Sequence, residues 1–466
     1  MNVRRVCCSA LGVACVCQGL AFGADAPPAD SAALALDPVV ITVERRPQTL
    51  QQVATSITAF DGAQLRDRGV RTIDDLPSLA PGLSVSDASG EKIISIRGIG
   101  KQQESSEYPS GVVVATDGVA LLGGYLSKAP YFDLADIAVL RGPQGAFGGQ
   151  DAIGGMIQIT TNSPELGDNS ADVEFKAGNY GRLALTGAVN LPVGDTLALR
   201  LAFVSDRRKS YYTLFGQPSG DSDPGRLDAR SLRLGLLWKP DARVEALWKV
   251  ESGQVQTGGT PASHVPTDAS GNANSYGAQP LDDLFRVGNT IYNQGDDRYT
   301  RMSLSLRFAL PTDLTLRTIT GFLDGHTDQT NDLAGTGLTG PFDLHGPLGI
   351  HADLKGLYQE VTLLSPEKAP LRWLGGVYGE QAETHFPAAQ GGLSLDYYMS
   401  GIAGVTPTPI PLLHFLHDLD YQDRNAGVFG QLAWELRPDL ELQVSARHNM
   451  HRSDHLNVLN TVLYDP

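Results

Sequence analysis

In Leu197-Ala-Leu-Arg-Leu-Ala-Phe203, large apolar residues alternate with Ala198, Arg200 and Ala202. A period of two sends successive side chains to opposite faces of a β-strand, here one greasy and one small or polar. The same rhythm runs upstream through Leu183, Leu185, Gly187 and Val189, and downstream through Leu232, Leu234, Leu236 and Trp238. It returns at Val244, Ala246, Trp248 and Val250, then at Met302, Leu304, Leu306, Phe308 and Leu310.

The connections between these runs sort by length. Short turns rich in Pro and Asp fall at 191–195, 239–241, 311–313, 366–370 and 437–439; long polar or Gly-rich connections occupy 205–228, 251–298, 325–356 and 381–423. Short and long connections therefore lie at opposite ends of one sheet, as in outer-membrane β-barrels, whose outward face meets lipid. Alternation alone also suits a soluble sandwich, but the regular ordering of loop lengths argues against it. One strand before the tight Gly178-Asn-Tyr-Gly181 link, and two for each short turn, give about 11 strands.

Composition agrees with an exported, membrane-embedded or globular chain. The 466 residues carry 36 Lys and Arg against 52 Asp and Glu, a formal charge of −16, which disfavours a nucleic-acid partner. All four cysteines (Cys7, Cys8, Cys15 and Cys17) lie in an apolar run behind Arg4 and Arg5, the pattern of a secretory signal peptide over residues 1–23, cleaved after Gly23. The remaining chain has no cysteine for disulfides or thiolate metal sites, and no stretch of 18 apolar residues that would make a membrane helix.

Residues 45–165 read differently. Ile73-Asp-Asp-Leu76 is a helix start, Pro81-Gly82 a turn, and 92–97 and 111–117 short strands, which together describe a compact α+β domain. Ahead of it, residues 24–44 form a Pro-rich tail ending in the β-prone run Val39, Val40, Ile41, Thr42 and Val43. That run suits addition to a partner's sheet edge, and equally suits an ordinary first strand.

Several motifs occur in a definite order. They are Asp37-Pro-Val-Val-Ile-Thr-Val43, Leu76-Pro-Ser-Leu-Ala-Pro-Gly-Leu83, Ser95-Ile-Arg-Gly-Ile-Gly100, Thr116-Asp-Gly-Val119, Val139-Leu-Arg-Gly-Pro-Gln-Gly-Ala-Phe-Gly-Gly149 and Ala152-Ile-Gly-Gly-Met-Ile-Gln-Ile-Thr160. This set resembles the plug of a TonB-dependent outer-membrane receptor. Tyr358-Gln-Glu-Val-Thr-Leu363, Trp373-Leu-Gly-Gly-Val-Tyr378 and Val428-Phe-Gly-Gln-Leu432 are similar to barrel segments of its siderophore-receptor branch.

The resemblance implies an N-terminal α+β plug domain followed by an antiparallel transmembrane β-barrel over 166–466. It makes Val39–Val43 a TonB box, engaged by the TonB C-terminal domain of an inner-membrane energy-transducing complex. Function would be energised uptake of a scarce ligand, most often a ferric siderophore, by a monomer in the bacterial outer membrane, in contact with its lipid and placed there by the barrel-assembly machinery. No enzymatic activity and no resident cofactor are implied. Plugged transporters use 22 strands, so about half the usual strands are present, and the chain is expected to be a truncated or fragmentary receptor. A passive outer-membrane channel and a secreted soluble β-rich binding protein are the alternative readings.

Arg97 and Arg141 each precede glycine, so their guanidinium groups leave tight turns and can grip carboxylates. In the family such plug arginines pair with barrel glutamates, and Glu360 and Glu380 are the candidate partners for a plug–barrel lock. Gly98, Gly142, Gly145, Gly148, Gly154 and Gly155 are expected to serve tight turns and close approach of plug to wall. No Gly-Lys-Ser/Thr follows them, so they do not form a phosphate loop. Ala138, where the family often has an acidic residue, and Gln150-Asp151 depart from the pattern. Among the histidines, strand geometry sends His448 and His451 to opposite faces, which disfavours a metal site with His455; His414 and His417 sit in a long apolar loop. No catalytic constellation has a defensible spacing.

Overall fold

The computed structural model describes residues 40–43, 46–49, 55–88, 90–101, 110–120, 124–144, 152–215, 223–259, 286–288, 293–311, 313–332, 344–345, 347–387, 393–400, 409–437 and 440–463. The signal-peptide reading, Val39, Gly145 and Gly148 lie outside them.

Within the globular part, a five-stranded sheet has the spatial order Ser56–Asp61, Leu134–Arg141, Gly155–Thr161, Val112–Thr116, Val119–Ala120. A separate three-stranded sheet joins Leu83–Ala88, Glu91–Ile96 and Ile99–Gly100. The expected helix start at Ile73 is a 3-10 turn, Ile73–Ser78, with Pro77 inside it. Ile73, Leu76, Ile96, Ile137, Val139 and Ile157 are almost wholly buried between these pieces. This one core is what lets so short a segment hold together.

From Ser170 the chain becomes a wall. Of the thirteen strands in this sheet, the short Leu344–His345 and Leu393–Ser400 belong to the long connections. The other eleven follow chain order, from Ser170–Gly178 to Leu440–Leu463, and every neighbour is antiparallel. Among the described residues the first and last of them each pair on one side only.

The two faces of the wall match the sequence period. Ala188, Ala202 and Val204 cluster with the plug residue Phe132, so that row points inward. Leu185, Leu201, Leu232 and Trp238 of the opposite row stay exposed. Leaving such side chains in water forgoes about 1.5–3 kcal/mol each, and their recurrence on most of the wall strands marks a surface suited to lipid.

The strands run further than their apolar alternation. Arg298, at 63% side-chain exposure, belongs to Gln294–Ala309, and the cross-strand pairs His326–Asp353 (2.8 Å) and His351–Asp328 (3.1 Å) extend the outward face beyond the greasy rows. A backbone ladder needs no apolar side chains, so strands continue where the outward residues turn polar. His417 likewise lies in the strand Pro409–Arg437 and not in a loop.

Candidate functional site

The densest polar chemistry among the described residues joins plug to wall. Asp117 and Gly118, with φ of 51° and 84°, form the left-handed tight turn of a hairpin between Val112–Thr116 and Val119–Ala120. The Asp117 carboxylate accepts from the Thr161 backbone N–H (3.1 Å), Thr161 Oγ1 (2.8 Å) and, from the wall, Lys249 Nζ (3.0 Å). Burial works to raise its pKa, but the charges of Lys249 and Arg233 and the Thr161 donors outweigh burial and hold it below the usual carboxylate range.

A second anchor repeats the logic. Asp133, also left-handed at φ 48°, receives both arms of Arg200 (2.8 and 2.6 Å) and the side-chain amide of Asn162 (2.8 Å). Burial is again the largest influence and is again overcome, here by the Arg200 and Asn162 bonds, so this carboxyl too titrates low.

Between the anchors, Arg233 donates to Glu251 (2.7 Å) and to the Phe132 carbonyl (3.2 Å), and stacks on the Phe132 ring at 4.2 Å. Arg301 grips Glu251 through two bonds of 2.9 Å and reaches Thr116 Oγ1 at 3.3 Å. Lys128 of the plug meets Asp297 of the wall at 3.2 Å. A bare glycine in the wall makes room for the plug: a Cβ at Gly321 would collide with Val119, and one at Gly325 with Leu126. The space by the Asp117 turn is only about 30 Å³, whereas about 340 Å³ separates Tyr131 and Asp133 from the first wall strands.

The lock expected from the sequence is not the one formed. Arg97 donates to Ser56 Oγ (3.4 Å), and Arg141 donates to Pro81 O (3.0 Å) and Thr58 Oγ1 (2.6 Å), so both bond within the plug and not to Glu360 or Glu380. Register explains this: Arg141 lies opposite Ser56, which brings Thr58 within diagonal reach on the same face. Glu360 is buried in the wall and accepts from Tyr358 (2.7 Å) and Thr362 (3.1 Å), while Glu380 lies beside it in the strand Leu371–Phe386. The polarity of the observed contacts at Asp117 and Asp133 is reversed, with acids on the plug and cations on the wall.

Gly98 (φ 78°) and Gly142 (φ 90°) do serve turns that favour glycine. Gly154 and Gly155 admit close approach, but inside the plug: a Cβ there would press on Ile99 or on Leu140. The run Val40–Val43 is a strand, paired antiparallel with Arg46–Thr49. His448 and His451 point to opposite faces; His451 bonds Asn425 (2.6 Å), and the His455 ring meets Tyr421 at 5.2 Å.

Residues 49–156, which hold this plug and its clasping turn, match the TonB-dependent Receptor Plug Domain. Residues 49–156 thus carry a plug domain of the TonB-dependent receptor type. A vitamin B12 transporter of Vibrio vulnificus is 30% identical over 191 residues, which is 40% of this chain and 30% of the transporter. The ferrioxamine receptor of Yersinia enterocolitica is 24% identical over 228 residues, 48% of this chain and 30% of that receptor. Among solved structures, the ferric yersiniabactin uptake receptor of Yersinia pestis superposes with a TM-score of 0.65 at 17% identity, covering 87% of this chain and 62% of its own. The ferripyoverdine receptor of Pseudomonas aeruginosa gives 0.67 at 14%, with 91% and 56% covered. The chain thus spans less than two thirds of each of these relatives. The wall shares its fold with these receptors, the ferripyoverdine receptor among them being one of the outer membrane, and the named relatives are transporters and receptors.

Proposed function

We propose that this chain is a TonB-dependent receptor and takes part in energised uptake across the outer membrane, with Val39–Val43 as the segment that a periplasmic TonB C-terminal domain pairs with. The plug seated against the wall carries this reading, because its anchors at Asp117–Lys249 and Asp133–Arg200 join residues 132 and 67 positions apart in sequence. A passive channel has no use for a bore filled by so closely bonded a domain, and a soluble β protein has no use for the exposed outward row. The strand Val40–Val43 offers backbone groups suited to edge pairing.

A ferric siderophore is the proposed ligand class, supported by the ferrioxamine receptor relative and by the two siderophore receptors of like fold. Cobalamin is the second reading, favoured by the vitamin B12 transporter. The test is titration of a TonB C-terminal domain into the detergent-purified chain and its Ile41→Pro variant, followed by binding of ferrioxamine and of cobalamin. Binding that proline abolishes is expected. Equal binding by both proteins would remove the segment's role.

A further inference from the structure

Ser56–Asp61 is the first plug strand reached from the N-terminal strand pair, and among the described residues it is a sheet edge, bonded to Leu134–Arg141 only. Ser56 stands opposite Arg141 and Asp61 opposite Asp136. A pull arriving from the N-terminus therefore loads the Ser56 end first and peels the strand toward Asp61. The far end is well held: Phe60 is buried with Arg68 over its ring at 4.9 Å, and the Asp61 side chain caps the helix Gly62–Asp67 through Gln64 N (2.8 Å).

At the loaded end the ladder is reinforced by side chains. Arg141 Nη2 donates to Thr58 Oγ1 at 2.6 Å in a half-buried setting, while its Nε donates to Pro81 O at 3.0 Å. One guanidinium thus ties the edge strand to the strand beside it and to the turn that opens the second plug sheet. Arg97 adds a bond to Ser56 Oγ, but at 3.4 Å and exposed it lies near the outer limit of hydrogen bonding. Short, charge-assisted bonds are the stronger kind, so Arg141 dominates.

We infer that Arg141, with minor help from Arg97, clamps the strand that bears the pull, and is a positioning residue setting how readily Ser56–Asp61 leaves the plug. The inference rests on the proposed function for the direction of that pull. It gives a role to the two arginines that the expected lock would have spent on the wall: they hold the plug together internally, and Asp117 and Asp133 hold it in place.

The test is force-clamp stretching of the full chain in lipid nanodiscs, with the handle at its N-terminus and no TonB present. The first extension step should end near Asp61. At equal force, Arg141→Ala should shorten the lifetime before that step on the order of tenfold, the effect of one charge-assisted hydrogen bond, and Arg141→Lys by less. Thr58→Val removes the acceptor without touching the arginine, so it stands if the arginine variant fails to fold. It should act in the same direction, and the double variant should add little. Later steps, which release plug from wall, should keep their lifetimes. Unchanged first-step lifetimes in Thr58→Val, or fully additive effects in the double variant, would overturn the clamp. Failure of the TonB titration would instead undo the proposed function and leave these lifetimes as they are.

Discussion

Strands Leu197–Arg208, Leu227–Trp238 and Val244–Thr257 turn Arg200, Arg233, Lys249 and Glu251 inward, and the last three are at most 4% exposed. In Leu440–Leu463, at the far end of the same sheet, Val444 is 57% exposed on one face and Ser445 is exposed on the other. Both regions pair as continuous antiparallel ladders, the late one with a single register shift between Glu435 and Arg437. What separates them is the seat of the plug, which relies on charge at the early strands. A buried charge is tolerated only when its partner is placed accurately, so such contacts fix position at least as much as they add adhesion.

Cutting the early seat should show this most clearly. Lys249→Ala leaves the Asp117 carboxylate buried beside an empty place, at a cost of about 3–5 kcal/mol; thermal melting and protease cleavage of the plug should report it, and an unaltered melting curve would contradict the charge seat. Acidity acts inside the plug itself. Burial above all, and the nearby Asp117, push the Asp136 pKa up to about 6. Its protonated form is thus favoured in the fold, and that contribution, present below pH 4, is lost as pH rises through about 6, on the order of 2–3 kcal/mol. Asp117 and Asp133, held low, change in the opposite sense and only below pH 4. Asp136→Asn should therefore flatten the plug's stability between pH 4 and 7.

Smaller effects follow from packing and from the open surface. Gly321→Leu should overfill the contact with Val119 and cost about 1–3 kcal/mol, read as a lower melting temperature, whereas a leucine at Gly379, which has open space, should be better tolerated. In the late wall, the Arg452–Asp454 pair is 71% and 48% exposed, so Arg452→Ala should change stability by less than about 0.5 kcal/mol. A loss as large as that of Lys249→Ala would erase the distinction between the two regions.

Much of this was legible beforehand. Period two and alternating connection lengths gave about 11 strands, and among the described residues the wall has eleven besides the two short ones in its long connections. The ordered motifs marked the plug by resemblance, and at Thr116-Asp-Gly-Val119 the structure supplies the physical reason, a left-handed residue followed by glycine. The seat was harder to read. Ala198-Leu-Arg-Leu-Ala202 put Arg200 on the small or polar face, but nothing local names Asp133, 67 residues away, as its partner. The bonds of Arg97 and Arg141 depend on register across the plug sheet, which no short motif encodes.

Strand length has a practical corollary. Ser170–Gly178 has 9 residues and Arg182–Val193 has 12, but Pro409–Arg437 has 29 and Leu440–Leu463 has 24. About 9–11 residues suffice to cross the hydrocarbon, so the first two of these strands barely span it while the last two run well beyond it. A fluorescent tag or epitope grafted on the surplus of those last strands would therefore stand clear of the hydrocarbon.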